Sequence, residues 1–150
     1  MKRIQLCLAM LAVMTLALSC SKEKSQLESR TEMLINKDWQ QTAFLADTDQ
    51  DGNPETNIFG FMAECDKDDL TFYSQDGSWQ HKEGFTKCNA DDPDVITKGN
   101  WQLDETGTSL KVTDGSLLLM DATIIDMTQT ELRITFMESG STFTSTYKSR

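Results

Sequence analysis

Apolar residues recur at every second position in several short segments of the chain. The clearest case is the series Leu132, Ile134 and Phe136. Segments 99–104 and 109–113 show the same alternation and flank a short turn that ends in glycine. Because successive side chains of a β-strand point to opposite faces of the sheet, a period of two predicts strands with one buried face.

Turn residues separate these segments at fairly regular spacing. Asp76-Gly77 lies between 69–74 and 78–83, and an Asp-Gly pair between two alternating runs is typical of a β-hairpin. About eight strands with short connections follow residue 36, where no segment keeps helical spacing over a useful length. The series predicts an all-β, eight-stranded antiparallel up-and-down barrel, which removes exposed sheet edges. A two-sheet β-sandwich is the alternative architecture.

The N-terminus carries a targeting signal. Met1-Lys-Arg3 is positively charged, and residues 4–18 are almost entirely apolar. This run is shorter than the roughly 20 residues that a membrane-spanning helix needs, so it is typical of a secretory signal peptide. Its end, Ala17-Leu-Ser19 before Cys20, resembles the lipobox of bacterial lipoproteins. The resemblance implies cleavage after residue 19, a lipid on the Cys20 thiol and a location in the bacterial cell envelope.

The sequence thus predicts three regions. Residues 1–19 form the lipoprotein signal peptide, residues 20–32 a polar, flexible, lipid-anchored tether, and residues 33–150 the folded domain. Ser21, which follows the cysteine, resembles the pattern of lipoproteins that are passed on to the outer membrane. The alternative is an ordinary secreted protein with an incidental cysteine near its cleavage site.

Charge and motif content argue against two classes of function. The chain has 24 acidic and 14 basic residues and a formal net charge of −10, which repels the phosphates of nucleic acids. His81 is the sole histidine, so a nucleophile activated by a histidine base has few candidate partners. There is no glycine-rich phosphate loop or nucleophile elbow. We expect neither nucleic-acid binding nor enzymatic activity.

Cys65 and Cys88 are the cysteines that remain within the predicted domain. Cysteines in an oxidising envelope compartment can pair, so a Cys65–Cys88 disulfide is predicted. Free structural thiols and a two-cysteine metal site are the alternatives. With His81 as the sole histidine, a four-ligand zinc site is difficult to assemble.

The acidic segment Asp47-Thr-Asp-Gln-Asp-Gly-Asn-Pro-Glu55 resembles the first half of a calcium-binding loop. Its aspartates alternate and a glycine follows the third, which is the arrangement that lets carboxylates converge on Ca²⁺. Ile58 stands where an EF-hand has its bidentate glutamate, so an EF-hand is excluded. The candidate ligands for calcium are Asp47, Asp49, Asp51, Asn53 and Glu55. A solvated acidic turn without an ion is the alternative.

The order of motifs resembles the lipocalin-like lipoproteins of bacterial envelopes. The resemblance lies in the lipobox, the polar tether and a series of short motifs, namely Leu34-Ile-Asn-Lys-Asp-Trp39, Cys65-Asp-Lys-Asp-Asp-Leu-Thr-Phe72, Asp76-Gly77, Cys88 and Gly99-Asn-Trp101. It implies a barrel that binds a small hydrophobic or amphipathic ligand. Lys37 departs from the pattern, because lipocalins have a glycine two residues before the first-strand tryptophan.

Six apolar residues are the candidates for lining a ligand pocket, since such pockets are mainly apolar with a few polar groups. They are Trp39, Phe72, Trp79, Trp101, Leu132 and Phe136. Plain core packing is the alternative role for the same residues. A barrel with a filled core would then act as a structural or surface interaction module, with calcium as its stabilising ion.

Overall fold

The computed structural model describes residues 25–150, so the predicted signal peptide, the lipobox-like sequence and Cys20 lie outside the described residues. One short helix precedes a series of strands. The elements are helix α1 (Gln26–Leu34), strands β1 (Asp38–Asp47) and β2 (Thr56–Asn57), a 3₁₀ turn (Phe59–Phe61), and strands β3 (Leu70–Tyr73), β4 (Ser78–Lys82), β5 (Val95–Leu103), β6 (Ser109–Asp114), β7 (Leu117–Met127), β8 (Glu131–Glu138) and β9 (Ser141–Ser149).

The strands form a closed antiparallel barrel. β3 to β9 pair with their neighbours in sequence order, and β1 pairs with β3 on one edge and with β9 along the other. Eight strands therefore close the wall, and the short strand β2 pairs with the C-terminal end of β1. The all-β, eight-stranded barrel predicted from the alternation is confirmed. The predicted hairpins β3–β4 and β5–β6 are present as well.

One end of the barrel is filled by side chains. The buried residues there come from α1, β1, β3 and β6 to β8, as the alternating pattern predicts. They are Leu34, Trp39, Tyr73, Leu110, Val112, Ala122, Ile124, Met127, Leu132 and Ile134. This end also carries the hairpin turns at 104–108 and 128–130, and α1 packs against it.

Helix α1 corrects the expectation of a flexible tether for residues 25–32. Ser25 and Glu28 form a reciprocal capping box, with both hydrogen bonds at 3.1 Å. The last helical residue, Leu34, is fully buried in the core, and its carbonyl accepts a hydrogen bond from Trp39 Nε1 at 2.8 Å. Arg30 Nη1 donates to the carbonyl of Gly107 at 3.3 Å. The capping box and the buried leucine together hold this polar segment in a helix.

The predicted inward orientation of Phe72 on β3 is wrong. It pairs with Asp38 and Gln80, whose neighbours in sequence Trp39 and Trp79 face the interior. Phe72 therefore faces outward, where Lys82 Nζ lies 5.0 Å from the centre of its ring. Thr71 and Tyr73 face inward instead. The apolar character of Phe72 predicts an inward position, but the register of β3 against β1 and β4 places it outside.

The predicted cysteine pair is joined. The Cα atoms of Cys65 and Cys88 lie 5.2 Å apart and their sulfurs form a disulfide. This bond connects the segment before β3 with the long β4–β5 connection. Within residues 25–150, no helix has both the length and the apolar character that crossing a membrane requires.

Candidate functional site

A cavity of about 690 Å³ occupies the end of the barrel opposite α1. Side chains of β1, β3, β4, β5 and β9 form its walls, and the two segments joined by the disulfide lie over it. Its lining residues are Gln41, Met62, Asp66, Asp69, Thr71, Trp79, His81, Glu83, Cys88, Asp92, Pro93, Ile96 and Tyr147. The barrel thus has one solid half and one hollow half.

Aromatic groups form part of the cavity wall. Trp79 and His81 are alternate residues of β4, and their rings stack with centres 6.5 Å apart and planes at 8°. The indole N–H of Trp79 is buried and has no hydrogen-bond partner among residues 25–150. It lies near enough to the Tyr73 hydroxyl to lower the pKa of that group slightly, without reaching hydrogen-bond geometry. This N–H is therefore an unsatisfied donor that protein atoms enclose.

Two tyrosines lie between the cavity and the core. Burial raises the pKa of Tyr73 above its ordinary value, and the adjacent Tyr147 acts in the same direction. Burial also raises the pKa of Tyr147, against a smaller opposing effect of Ser145. Gln41 Nε2 donates to Ser145 Oγ at 3.0 Å. Both phenols are therefore neutral at physiological pH, and Tyr147 adds a polar but uncharged group to the cavity wall.

Asp69 is the most enclosed carboxylate of the cavity. Its side chain is 9% exposed, and its Oδ1 accepts a hydrogen bond from the backbone N–H of Gly84 at 3.1 Å. Gly84 permits this approach, because a Cβ there would collide with the carbonyl oxygen of Asp68. The other oxygen, Oδ2, lies 3.6 Å from His81 Nε2, which is beyond hydrogen-bond distance. Burial raises the pKa of Asp69, with smaller opposing effects of Gly84 and His81.

Further carboxylates surround the entrance. Desolvation raises the pKa of Glu83, and neighbouring Asp69 and Asp92 add to that shift. Lys87 acts on Glu83 in the opposite direction. The Lys87 ammonium is itself held by Asp94 Oδ1 at 2.7 Å and by the carbonyl of Asp92 at 2.6 Å. The entrance to the cavity is therefore acidic.

The six residues predicted to bind a ligand lie in different parts of the barrel. Trp79 lines the cavity, whereas Trp39 and Leu132 are fully buried in the solid half. Trp101 packs edge-on against Tyr73 and donates to the carbonyl of Ser74 at 2.9 Å. The other two are Phe136, which stacks with Phe44 and Phe143, and Phe72, which faces outward. Core packing is thus the role of Trp39 and Leu132.

The alternation of apolar residues does not reveal the polar residues of the cavity wall. Thr71, His81 and Tyr147 all lie on inward-facing positions of their strands. The Asp76-Gly77 hairpin fixes the register that places Thr71 opposite His81. The Asp76-Gly77 turn was therefore a sequence signal for these positions. Because every second residue of β4 shares one face, an inward-facing Trp79 implies an inward-facing His81.

The acidic loop between β1 and β2 brings its carboxylates together. The ligand oxygens of Asp47, Asp49, Asp51 and Glu55 all lie within 4.8 Å of one another. Asp47 is 5% exposed and accepts hydrogen bonds from the backbone N–H groups of Asp51 and Gly52 at 3.2 and 2.9 Å. The predicted fifth ligand, Asn53, donates to Asp51 Oδ2 at 3.2 Å. These carboxylates therefore also cap the turn.

Comparison of the chain with protein-family models gives no match, and comparison with curated proteins gives none.

Proposed function

We propose that this protein is a lipid-anchored lipoprotein of the bacterial envelope whose barrel binds a small amphipathic ligand. The observation that carries the proposal is the cavity of about 690 Å³ inside the barrel wall. Sites for small molecules are concave and commonly enclose about 300–1,000 Å³, with a few polar groups among apolar ones. A barrel filled throughout its length would not leave this space, so the cavity favours ligand binding over a purely structural role.

Native mass spectrometry tests the binding role. The full chain purified from its own membrane is expected to carry a co-purified small molecule. Thr71→Phe should remove that molecule, because Thr71 faces the cavity and the larger ring fills it. Thr123→Phe is the matched control, since Thr123 is exposed on the outside of β7. A wild-type protein without any bound molecule, or a Thr71→Phe variant that retains it, contradicts the proposal.

The proposed anchor rests on the lipobox-like sequence before Cys20. A thiol-linked diacylglyceryl group supplies two acyl chains, which is enough for stable membrane attachment. Cys20→Ser is expected to move the protein from the membrane fraction to the soluble fraction and to abolish incorporation of labelled fatty acid. Unchanged membrane attachment of this variant would exclude lipidation at Cys20.

Calcium binding in the acidic loop remains a second proposal, supported by the convergence of four carboxylates. Calcium takes six to eight oxygen ligands by general rule, and a bound ion stabilises the folded state by mass action. We expect calcium to raise the melting temperature and a chelator to lower it, as measured by calorimetry. Asp49→Asn should abolish the shift, whereas Asp91→Asn, an equal loss of charge in another exposed loop, should preserve it. Equal melting temperatures with calcium and with chelator would exclude the site.

A further inference from the structure

The charge of the cavity wall restricts the ligands that it can accept. Apart from the neutral phenol of Tyr147, its ionisable lining residues are one histidine and four carboxylic acids, namely His81, Asp66, Asp69, Glu83 and Asp92. Among the described lining residues there is neither lysine nor arginine. A fatty acid or another anionic amphiphile would bring its charge next to these carboxylates, with no cation in the wall to compensate.

Asp69 is placed to receive a cation. Its side chain is nine-tenths buried, and Oδ1 is already held by the Gly84 N–H. Among residues 25–150, Oδ2 has only the His81 contact at 3.6 Å and accepts no hydrogen bond. A buried carboxylate oxygen that lacks a donor gains most from a charged donor, because charge-assisted hydrogen bonds are the strongest of their kind.

The aromatic wall supports the same ligand class. Trp79 and Tyr147 line the cavity together with Asp69, and the faces of such rings attract organic cations. Trp79 and His81, which stack with ring centres 6.5 Å apart, both line the cavity from β4.

We infer that the cavity selects small organic cations with an apolar body, with Asp69 Oδ2 binding the cationic group and Trp79 contacting the body. This inference rests on the proposed ligand-binding function of the barrel. It goes beyond that function by assigning the charge of the ligand and the residue that recognises it.

The test uses amphiphiles that share one alkyl chain and differ in headgroup: octylamine, octyltrimethylammonium, octanol and octanoate. Titration calorimetry of the full chain should show that octylamine binds at least about tenfold more tightly than octanol, as expected for a charge-assisted hydrogen bond. Octanoate should not bind detectably. Octyltrimethylammonium lacks an N–H donor but keeps the positive charge. Its binding therefore reports the attraction of the aromatic rings and carboxylates for a cation, and the excess for octylamine reports the hydrogen bond to Asp69.

Two variants assign the selectivity to Asp69. Asp69→Asn preserves the carbonyl oxygen that accepts from Gly84, and it should reduce octylamine affinity about tenfold while leaving octanol affinity unchanged. Asp91→Asn is the matched control, because Asp91 is exposed in the connection over the cavity and does not line it. Glu83→Gln is a second cavity variant, expected to weaken octylamine binding less than Asp69→Asn does, and it keeps the test valid should Asp69→Asn fail to fold.

The outcomes separate this inference from the proposed function. If octanol or octanoate binds wild-type protein as tightly as octylamine, the cavity binds ligands but the inferred cation selectivity is wrong. Unchanged octylamine affinity in folded Asp69→Asn overturns the role of Asp69. If none of the four compounds binds, the inference fails, and native mass spectrometry of the membrane-derived protein then decides the binding function independently.

Discussion

Asp69 acquires its properties from its position at the start of β3. Next to Leu70 in an isolated hairpin, it would be an ordinary solvated acid. In the closed barrel its side chain is 9% exposed, His81 faces it from β4, and Asp66 and Asp68 lie nearby. Burial is the largest influence on its pKa and raises it above 3.8. The ionised Asp69 carboxylate that suits ligand binding therefore destabilises the folded state at neutral pH.

This destabilisation predicts a pH dependence of stability. Because the pKa of Asp69 is higher in the folded state, the folded protein binds more protons than the unfolded chain between 3.8 and the raised pKa. The contribution of Asp69 to stability is complete below the unfolded pKa and is lost as pH rises through that window. Asp69→Asn should therefore gain stability relative to wild type as pH increases from acidic to neutral values.

Urea unfolding at a series of pH values measures this effect. The difference in unfolding free energy between Asp69→Asn and wild type should grow with pH and level off above the raised pKa. Asp91→Asn, at an exposed carboxylate, should follow the wild-type profile. A constant difference between Asp69→Asn and wild type across the series would contradict the prediction.

At the scale of elements, helix α1 shows how a short polar segment becomes ordered. Its composition resembles a tether, and nine residues are too few for an isolated helix to be stable in water. The capping box of Ser25 and Glu28 was a sequence signal for its start. Packing of Leu34 into the core and its hydrogen bond to Trp39 supply the remaining stabilisation.

Removal of the N-cap tests this account. Ser25→Ala is expected to lower the unfolding free energy by about 1 kcal/mol, because the side chain no longer accepts from the N–H of Glu28. Gln26→Ala, an exposed position one residue later, should change stability by less than about 0.5 kcal/mol. Urea unfolding compares the two variants. Equal effects of both substitutions would show that the cap does not hold the helix.

At the scale of the whole molecule, the barrel divides into a solid half that stabilises the fold and a hollow half that forms the site. Leu132 lies in the solid half and is fully buried, whereas Met137 on the same strand is 75% exposed. Leu132→Ala is expected to cost about 2–5 kcal/mol through lost burial and the cavity left behind. Met137→Ala should cost less than about 0.5 kcal/mol.

Equilibrium unfolding in denaturant, with equal slopes for both variants, measures this contrast. Leu132→Ala should also leave the ligand selectivity of the folded protein unchanged, since Leu132 does not line the cavity. A small loss of stability for Leu132→Ala, close to that of Met137→Ala, would contradict the division into two halves.

The sequence by itself determined most of the strands and their order and favoured a closed barrel over a β-sandwich, whereas the pairing of β1 with β9 in the tertiary structure decided the closure. Alternation at Leu132, Ile134 and Phe136 and the Asp76-Gly77 turn are local signals, and short connections leave few topologies for consecutive strands. The Cys65–Cys88 pair was likewise predictable, because the domain has no other cysteines.

Only the tertiary structure decided which face of β3 is buried and where the cavity lies. Apolarity favoured Phe72 over Thr71, but the register against β1 and β4 places Phe72 outside. The site draws residues from β1, β3, β4, β5, β9 and two connections, so its members are distant in sequence. Only the closure of the barrel brings Asp69, Trp79 and Tyr147 around one cavity. Their proximity depends on long-range strand pairing, which no local sequence pattern reveals.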